Sequence, residues 1–158
     1  MMKNIKNQKG FTLIELMAVI VILAVLVMVA IPAVTTYLDT ARKGAFSNSA
    51  KSAISAVRND VIINGFNGNG TNESVYDLAK INALLDTKIV NSPFGGTFNN
   101  DSVKVKVTNE NGVYTYEMCM VDASNNGFAK YTKETDITND TVKSPVTVSS
   151  TDDCINLG

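Results

Sequence analysis

The chain has 158 residues, 14 of them basic and 15 acidic, a formal net charge of −1, and neither histidine nor tryptophan. This length suits one folded domain plus a further element. The balanced charge argues against the basic surface that nucleic-acid-binding proteins usually carry. The lack of histidine excludes most metal and acid–base chemistry. We therefore predict no cofactor, no bound metal and no nucleic-acid partner.

The first element in chain order is an apolar run near the N-terminus. Every residue from 16 to 31 is apolar, and Phe11, Leu13 and Ile14 extend the run. A bilayer core of ~30 Å needs roughly 20 apolar helical residues, so the block 11–34 is long enough to span. Residues 1–10 carry lysines and no acid. Because basic flanks stay cytoplasmic, the C-terminal bulk should face outward.

A secretory signal peptide is a poor description of this block. The run exceeds the usual apolar region of ~7–15 residues, no small-x-small cleavage site follows it, and it contains Glu15. A carboxylate in a membrane helix costs ~2.5–3.5 kcal/mol and needs a partner. Cleavage before Phe11 would create a new α-amino group able to reach the Glu15 of a neighbour. Alternatively, Glu15 is a protonated or snorkelling residue of an ordinary anchor.

The sequence KGFTLIE at residues 9–15, followed by the apolar run to Pro32, resembles the prepilin N-terminal motif of type IV pilins and pseudopilins. The short leader is similar to that of class IVa. The resemblance implies that a prepilin peptidase cuts after Gly10 and that Phe11 becomes the N-methylated terminus. It also implies that Glu15 pairs with a neighbour's amine and that Pro32 takes part in assembly. The implied partners are further copies in a helical filament and the membrane assembly machinery.

Beyond Pro32 the pattern becomes amphipathic and predicts one helix from about Thr12 to Ile63. A proline inside a helix removes a hydrogen bond, so we expect a kink or local melting near residues 28–32. The predicted buried stripe recurs at helical spacing: Val34, Leu38, Ala41, Ala45, Ala50, Ile54, Val57 and Val61. The glycine- and asparagine-rich residues 64–70 should end the helix.

Ser74, with Asp77, is predicted to cap a second, short helix that ends near Asp86. Alternating valines at residues 103–107, a turn at 109–112 and a return strand at 113–121 predict a hairpin. Residues 128–132 and 146–148 are further predicted strands. The fold class is therefore α+β, with a long N-terminal helix packed on a small antiparallel sheet; the resemblance implies the type IV pilin fold. We divide the chain into a removed leader (1–10), a transmembrane and polymerisation helix (11–34) and a globular head (35–158).

The two cysteines, Cys119 and Cys154, should face an oxidising compartment where a disulfide can form. The bridge would close a loop of about 36 residues and stabilise the head by roughly 3–4 kcal/mol; the alternative is two separate buried thiols. It would resemble the disulfide-bounded C-terminal loop of many pilins. Four acidic residues suggest a calcium site like that of some pseudopilins: Asp101, Asp122, Asp152 and Asp153. No twelve-residue calcium-binding loop is present, however. Solvated carboxylates in turns explain these residues better.

Three functions are compatible with these features. The leading prediction is a structural subunit of a type IV pilus for adhesion, twitching motility or DNA uptake. It would be a single-pass protein of the cytoplasmic membrane before assembly and an extracellular fibre afterwards. The alternative within the family is a pseudopilin of a type II secretion or competence system. A membrane-anchored enzyme is poorly supported, because no phosphate loop, paired-carboxylate or serine-centred motif is evident, and we predict that the protein is not an enzyme.

Overall fold

The long helix predicted near the N-terminus is confirmed. The structure is a computed structural model that describes residues 10–68 and 70–147. Its first element, α1, is Leu13–Asn64, a helix of 52 residues. The next residue, Gly65, has a φ of 82°, the left-handed conformation that commonly follows a helix. The chain divides into two compact units, Met1–Asp39 and Thr40–Gly158, and we call the second the head.

The expected local melting near Pro32 is wrong, because α1 continues through that residue. Proline removes only one backbone donor from the helix, and the remaining hydrogen bonds hold the turn. The hydroxyls of Thr35 and Thr36 both donate to the carbonyl of Pro32 at 3.0 Å. These bonds satisfy two side-chain hydroxyls within an otherwise apolar stretch.

The head is built on one antiparallel sheet in which every strand neighbours the next in sequence. The strands are β1 (Glu73–Asp77), β2 (Val103–Glu110), β3 (Val113–Val121) and β4 (Gly127–Lys133), in the order β1-β2-β3-β4. Short 3₁₀ turns occupy Asn100–Ser102 and Glu134–Asp136. The predicted hairpin and the strand at 128–132 are thereby confirmed, and the chain belongs to the α+β class.

The hairpin turn is tighter than the sequence suggested. Both strands reach it, so that Glu110 pairs with Val113, and only Asn111 and Gly112 form the loop. Their φ values are 54° and 86°, as a type I′ turn requires, and Asn-Gly is the favoured pair for that turn.

The second helix begins later than predicted. Helix α2 is Leu78–Leu84, and its N-cap is Asp77, whose carboxylate accepts a first-turn backbone N–H at 2.9 Å. The predicted cap, Ser74, lies in β1 instead. Extended pairing is preferred here because it adds a strand to the sheet and buries Tyr76, an aromatic residue that suits a half-buried strand.

The core of the head lies between the second half of α1 and one face of the sheet. Of the predicted stripe, the residues from Ala50 onwards are buried, whereas Ala41 and Ala45 are exposed. The sequence analysis missed Phe46, which is fully buried. The core residues of α1 meet those of β2 and β3: Phe46, Ala50, Ala53, Ile54, Val57 and Val61 against Val103, Val105, Val107, Met118 and Met120.

The strand predicted at 146–148 is wrong for its two described residues, Val146 and Thr147, which have no strand structure; Val148 lies outside the described residues. The backbone N–H of Val146 donates to the carbonyl of Asn125 at 2.6 Å. That contact ties the segment to the β3–β4 turn. Pro145, which has no N–H, directly precedes it and cannot support a ladder there.

Candidate processing and assembly site

The predicted cleavage junction lies just before the helix. Gly10 is the first described residue, and Leu13 is the first helical one. A Cβ placed on Gly10 would meet no heavy atom within 4 Å. Phe11 is 91% exposed. Among the described residues nothing requires glycine at position 10 on steric grounds, so we expect any requirement for it to come from another molecule that binds the junction.

Glu15 has a partner within its own chain. Its Oε2 accepts hydrogen bonds from the backbone N–H and the hydroxyl of Thr12, each at 2.8 Å. The backbone N–H of Glu15 points back to the Thr12 hydroxyl at 3.3 Å. This reciprocal arrangement is the capping box of Thr-x-x-Glu sequences at helix starts. It partly offsets the desolvation of the carboxylate without neutralising its charge.

The sequence analysis considered only cations as partners for Glu15 and missed Thr12. The three-residue spacing was the signal that could have revealed it. The side chains that surround Glu15 are otherwise apolar: a cleft of about 440 Å³ at the start of α1 is lined by Phe11, Glu15, Leu16, Ala18 and Val19. A carboxylate in such apolar surroundings still needs a cationic partner to offset the cost of its desolvation.

The first half of α1 leaves its apolar side chains uncovered in the single chain. Every large apolar side chain of residues 13–31 is between 52% and 76% exposed. Within the described part of the chain, α1 is the one helix long and apolar enough to cross a membrane, judged by length and composition. Exposure of this extent in water would be unfavourable, so lipid or protein must cover the segment.

Of the two cysteines, the structure describes only Cys119. Cys119 is fully buried on β3 and packs with Val121 and Ala129 in a cluster separate from the main core. Alternate residues of a strand face opposite sides of the sheet, so this cluster marks the face turned away from α1. Cys154 lies outside the described residues, and the bridge stays a prediction.

Asp122 is a buried structural carboxylate. It accepts hydrogen bonds from the backbone N–H groups of Ser124 and Asn126 and from the Asn126 side chain, at 2.8–3.1 Å. Burial raises the pKa of Asp122, but these bonds and one from Ser92 outweigh it and hold the pKa below its ordinary value. Asp101, in contrast, is exposed. Residues 10–68 and 70–147 hold no group of three potential metal-ligating side chains, while Asp152 and Asp153 lie outside them.

Comparison with known families supports the interpretation of the N-terminus. Residues 5–31 match the prokaryotic N-terminal methylation motif, the prepilin signal of type IV pilins and pseudopilins. Neither curated proteins nor solved structures gave a significant match to the chain. The motif implies processing by a prepilin peptidase and contact with pilus assembly machinery, and with the apolar helix it indicates membrane insertion before assembly. The N-terminal segment thus carries the signal of type IV pilin-like proteins, and the α+β fold, a long N-terminal helix with a four-stranded antiparallel sheet, is consistent with the pilin fold.

Proposed function

We propose that the protein is a structural subunit of a type IV pilus, assembled through its N-terminal hydrophobic helix after cleavage between Gly10 and Phe11. The observation that carries the proposal is the uncovered apolar half of α1, which begins with the Thr12–Glu15 capping box and lies within the methylation motif. An ordinary anchor needs the apolar length alone, whereas a subunit that pairs with a neighbour's amine also needs the carboxylate that the capping box holds at the start of the helix.

The proposed assembly step moves this helix from lipid to a bundle of helices from other copies. The methylated amine of Phe11 stays cationic and pairs with Glu15 of an adjacent copy, where the low effective dielectric strengthens the attraction. An amine at the helix end and a carboxylate one turn later form a contact between unlike surfaces. Contacts of that kind produce open helical filaments when they do not close.

The disulfide and the outer face of the sheet fit the same function. We propose that Cys119 is bridged to Cys154, so that the C-terminal segment is held against the cluster of Cys119, Val121 and Ala129. That face is turned away from α1, the element proposed to line the filament interior. The cluster itself is buried, so contacts with surfaces or receptors would be made by the segment that the bridge ties down rather than by these three residues.

The proposal is tested by shearing the cell surface, collecting fibres and measuring the intact mass of this chain. We expect a chain that begins at Phe11 and carries one added methyl group. Replacing Gly10 with leucine should retain the leader, keep the protein in the membrane and abolish fibres. Gly44→Ala, outside the junction and in ordinary helical backbone where an added Cβ meets atoms no closer than 3.7 Å, is the control for processing. A mature chain with the leader intact would refute the proposal. Short fibres seen only when the chain is overproduced would favour the pseudopilin alternative.

A further inference from the structure

The chain is rich in one chemically labile pair of residues. Five of its 10 glycines directly follow an asparagine. In an Asn-Gly pair the glycine has no side chain to hinder attack of its nitrogen on the asparagine amide, so these pairs lose ammonia more readily than other asparagines do. Asparagine is counted among the thermolabile residues for this kind of reaction. The fold decides which pairs can react, because the reaction needs a movable asparagine side chain and an available glycine N–H.

The pair Asn126-Gly127 is held at both reacting groups. Asn126 is buried, and its amide nitrogen donates to the two carboxylate oxygens of Asp122 at 3.1 and 3.0 Å. Its amide oxygen accepts from the Ser144 hydroxyl at 2.6 Å. The backbone N–H of Gly127 donates to the carbonyl of Lys143 at 2.9 Å. The nitrogen and the amide can therefore meet only after local opening of the head.

The pair Asn111-Gly112 is held mainly by its backbone. The two residues form the turn between β2 and β3, with φ values of 54° and 86°. The N–H of Gly112 donates to the side-chain oxygen of Asn109 at 2.9 Å, while Asn111 itself is exposed. The attacking nitrogen is engaged but the asparagine side chain borders water, so this pair should react at an intermediate rate.

The pair Asn64-Gly65 belongs to the end of α1. Asn64 is the last helical residue, and its amide nitrogen donates to Oδ1 of Asp60 at 2.7 Å. Helical backbone directs the next N–H toward the carbonyl four residues earlier, and so away from the asparagine's own side chain. This pair is exposed but has the wrong backbone geometry for the reaction.

The pair Asn67-Gly68 differs from these three. It lies between α1 and β1 in a stretch with neither helix nor strand, and Asn67 is exposed. The turn that follows holds the carbonyl of Gly68, which accepts from the backbone N–H and the hydroxyl of Thr71 at 2.8 and 2.6 Å. Within the described residues, no backbone carbonyl accepts the N–H of Gly68. The attacking nitrogen of this pair is therefore not committed to the backbone hydrogen bonds of the fold.

We propose that Asn67 is a site of spontaneous deamidation in the folded protein. The backbone nitrogen of Gly68 attacks Cγ of Asn67, the C–N bond of the side-chain amide breaks, and ammonia leaves with the proton that Gly68 gives up. Water then opens the resulting succinimide ring at one of its two carbonyls, which leaves aspartate or isoaspartate at position 67. The only co-reactant is water.

The product adds a carboxylate to a polar cleft. Asn67 lines a cleft of about 500 Å³ together with Asp60, Glu73 and Lys80. These two acids already outnumber the lysine, and deamidation adds a third carboxylate to the same lining. Because the released ammonia is lost to the solvent, the change accumulates with the age of the chain. The inference does not depend on the proposed function.

The test is incubation of the purified full chain in detergent, at mildly alkaline pH, in water enriched in heavy oxygen. The label enters a residue only when its succinimide is hydrolysed during the incubation, and fragmentation mass spectrometry assigns it to individual asparagines. The same chain is incubated unfolded in guanidinium chloride. The ratio of the folded to the unfolded rate at each asparagine separates the effect of the fold from that of the neighbouring sequence.

Two variants accompany the unaltered chain. Asn67→Gln is the blocked control, because glutamine would have to close a larger and less favourable ring. Gly68 itself must stay, since an added Cβ would lie 2.1 Å from the carbonyl oxygen of Thr71. Asn109→Ala removes the acceptor of the Gly112 N–H. It should accelerate the reaction at Asn111 and leave the rate at Asn67 unchanged.

We expect Asn67 to react in the folded chain within about threefold of its unfolded rate, and Asn126 at least about tenfold more slowly than its own, because protection rises from near zero in loops to its maximum in the core. Asn67→Gln should take up no label at that position. Protection of Asn67 as strong as that of Asn126 would overturn the inference, as would equal folded and unfolded rates at all described pairs, since the fold would then select nothing. Neither result bears on assembly into a pilus.

Discussion

Replacing Phe46 with alanine should remove the centre of the head's core. Its side chain is fully buried, and its ring lies 5.7–6.0 Å from the rings of Phe94, Phe98 and Phe128. These three come from the loop before β2 and from β4, so Phe46 joins α1 to two separate parts of the head. Truncation of a buried phenylalanine typically costs about 3–5 kcal/mol.

Little relaxation is available to reduce that cost. The cavity would border Gly127, where an added Cβ would lie 2.8 Å from the Phe46 ring and 2.0 Å from the carbonyl oxygen of Met120. Gly127 therefore lets β4 lie close to β3 and to the Phe46 ring, and it has no side chain that could move into the cavity. We therefore expect a value in the upper part of the range, which corresponds to a fall in Tm of roughly 10–20 °C for a domain of this size.

The assay is thermal unfolding of the full chain in detergent, followed by near-ultraviolet circular dichroism of the tyrosines, most of which lie in the head. Ile63→Ala is the matched control, because it removes a large apolar side chain from the same helix at a position that is 78% exposed. That variant should stay within about 0.5 kcal/mol of the unaltered chain. If Phe46→Ala is equally mild, the packing of α1 on the sheet is not as described.

Four further outcomes are expected. Glu15→Val should insert in the membrane at least as well as the unaltered chain yet be depleted from fibres when the two are co-expressed, and equal ratios in both fractions would remove Glu15 from assembly. Thr12→Val should reduce the yield of fibres, whereas Thr12→Ser, which keeps the hydroxyl, should retain it. Loss of such a helix cap lowers helix stability by about 0.5–2 kcal/mol. Equal fibre yields from the two variants would refute a role for the capping box. Alkylation without reductant should label neither Cys119 nor Cys154, and free reaction of both would disprove the bridge. The pKa of Asp122 is lowered in the folded head. Its ionised carboxylate therefore stabilises the fold above about pH 4, and this stabilisation is lost as the pH falls through the pKa of the folded state. Acid unfolding curves of Asp122→Asn should accordingly converge with those of the unaltered chain at low pH.

Local sequence was sufficient for the elements whose signals are strong and unopposed. The apolar run and the helical spacing that follows it predict α1 to within a residue at each end. Gly65 ends it because only glycine takes a positive φ without strain. The alternating valines of β2 and the Asn111-Gly112 turn likewise predict the hairpin, since both the period and the turn chemistry are local properties.

Other features depend on which surfaces meet in the folded head. Ser74 and Asp77 both qualify as helix caps. Asp77 is the cap in the structure because Ser74 lies in β1, whose hydrogen bonds to β2 form only once the sheet exists. The predicted stripe on α1 likewise failed at Ala41 and Ala45. Helical spacing identifies a face of a helix but not how far along that face a partner extends.

The same division holds at the candidate site. The junction of Gly10 and Phe11 and the carboxylate of Glu15 are evident from residue order, because peptidase recognition and membrane insertion act on a linear segment. The packing of Cys119 against Ala129 could not be found that way. The two residues lie on different strands, and only the pairing of β3 with β4 brings them together.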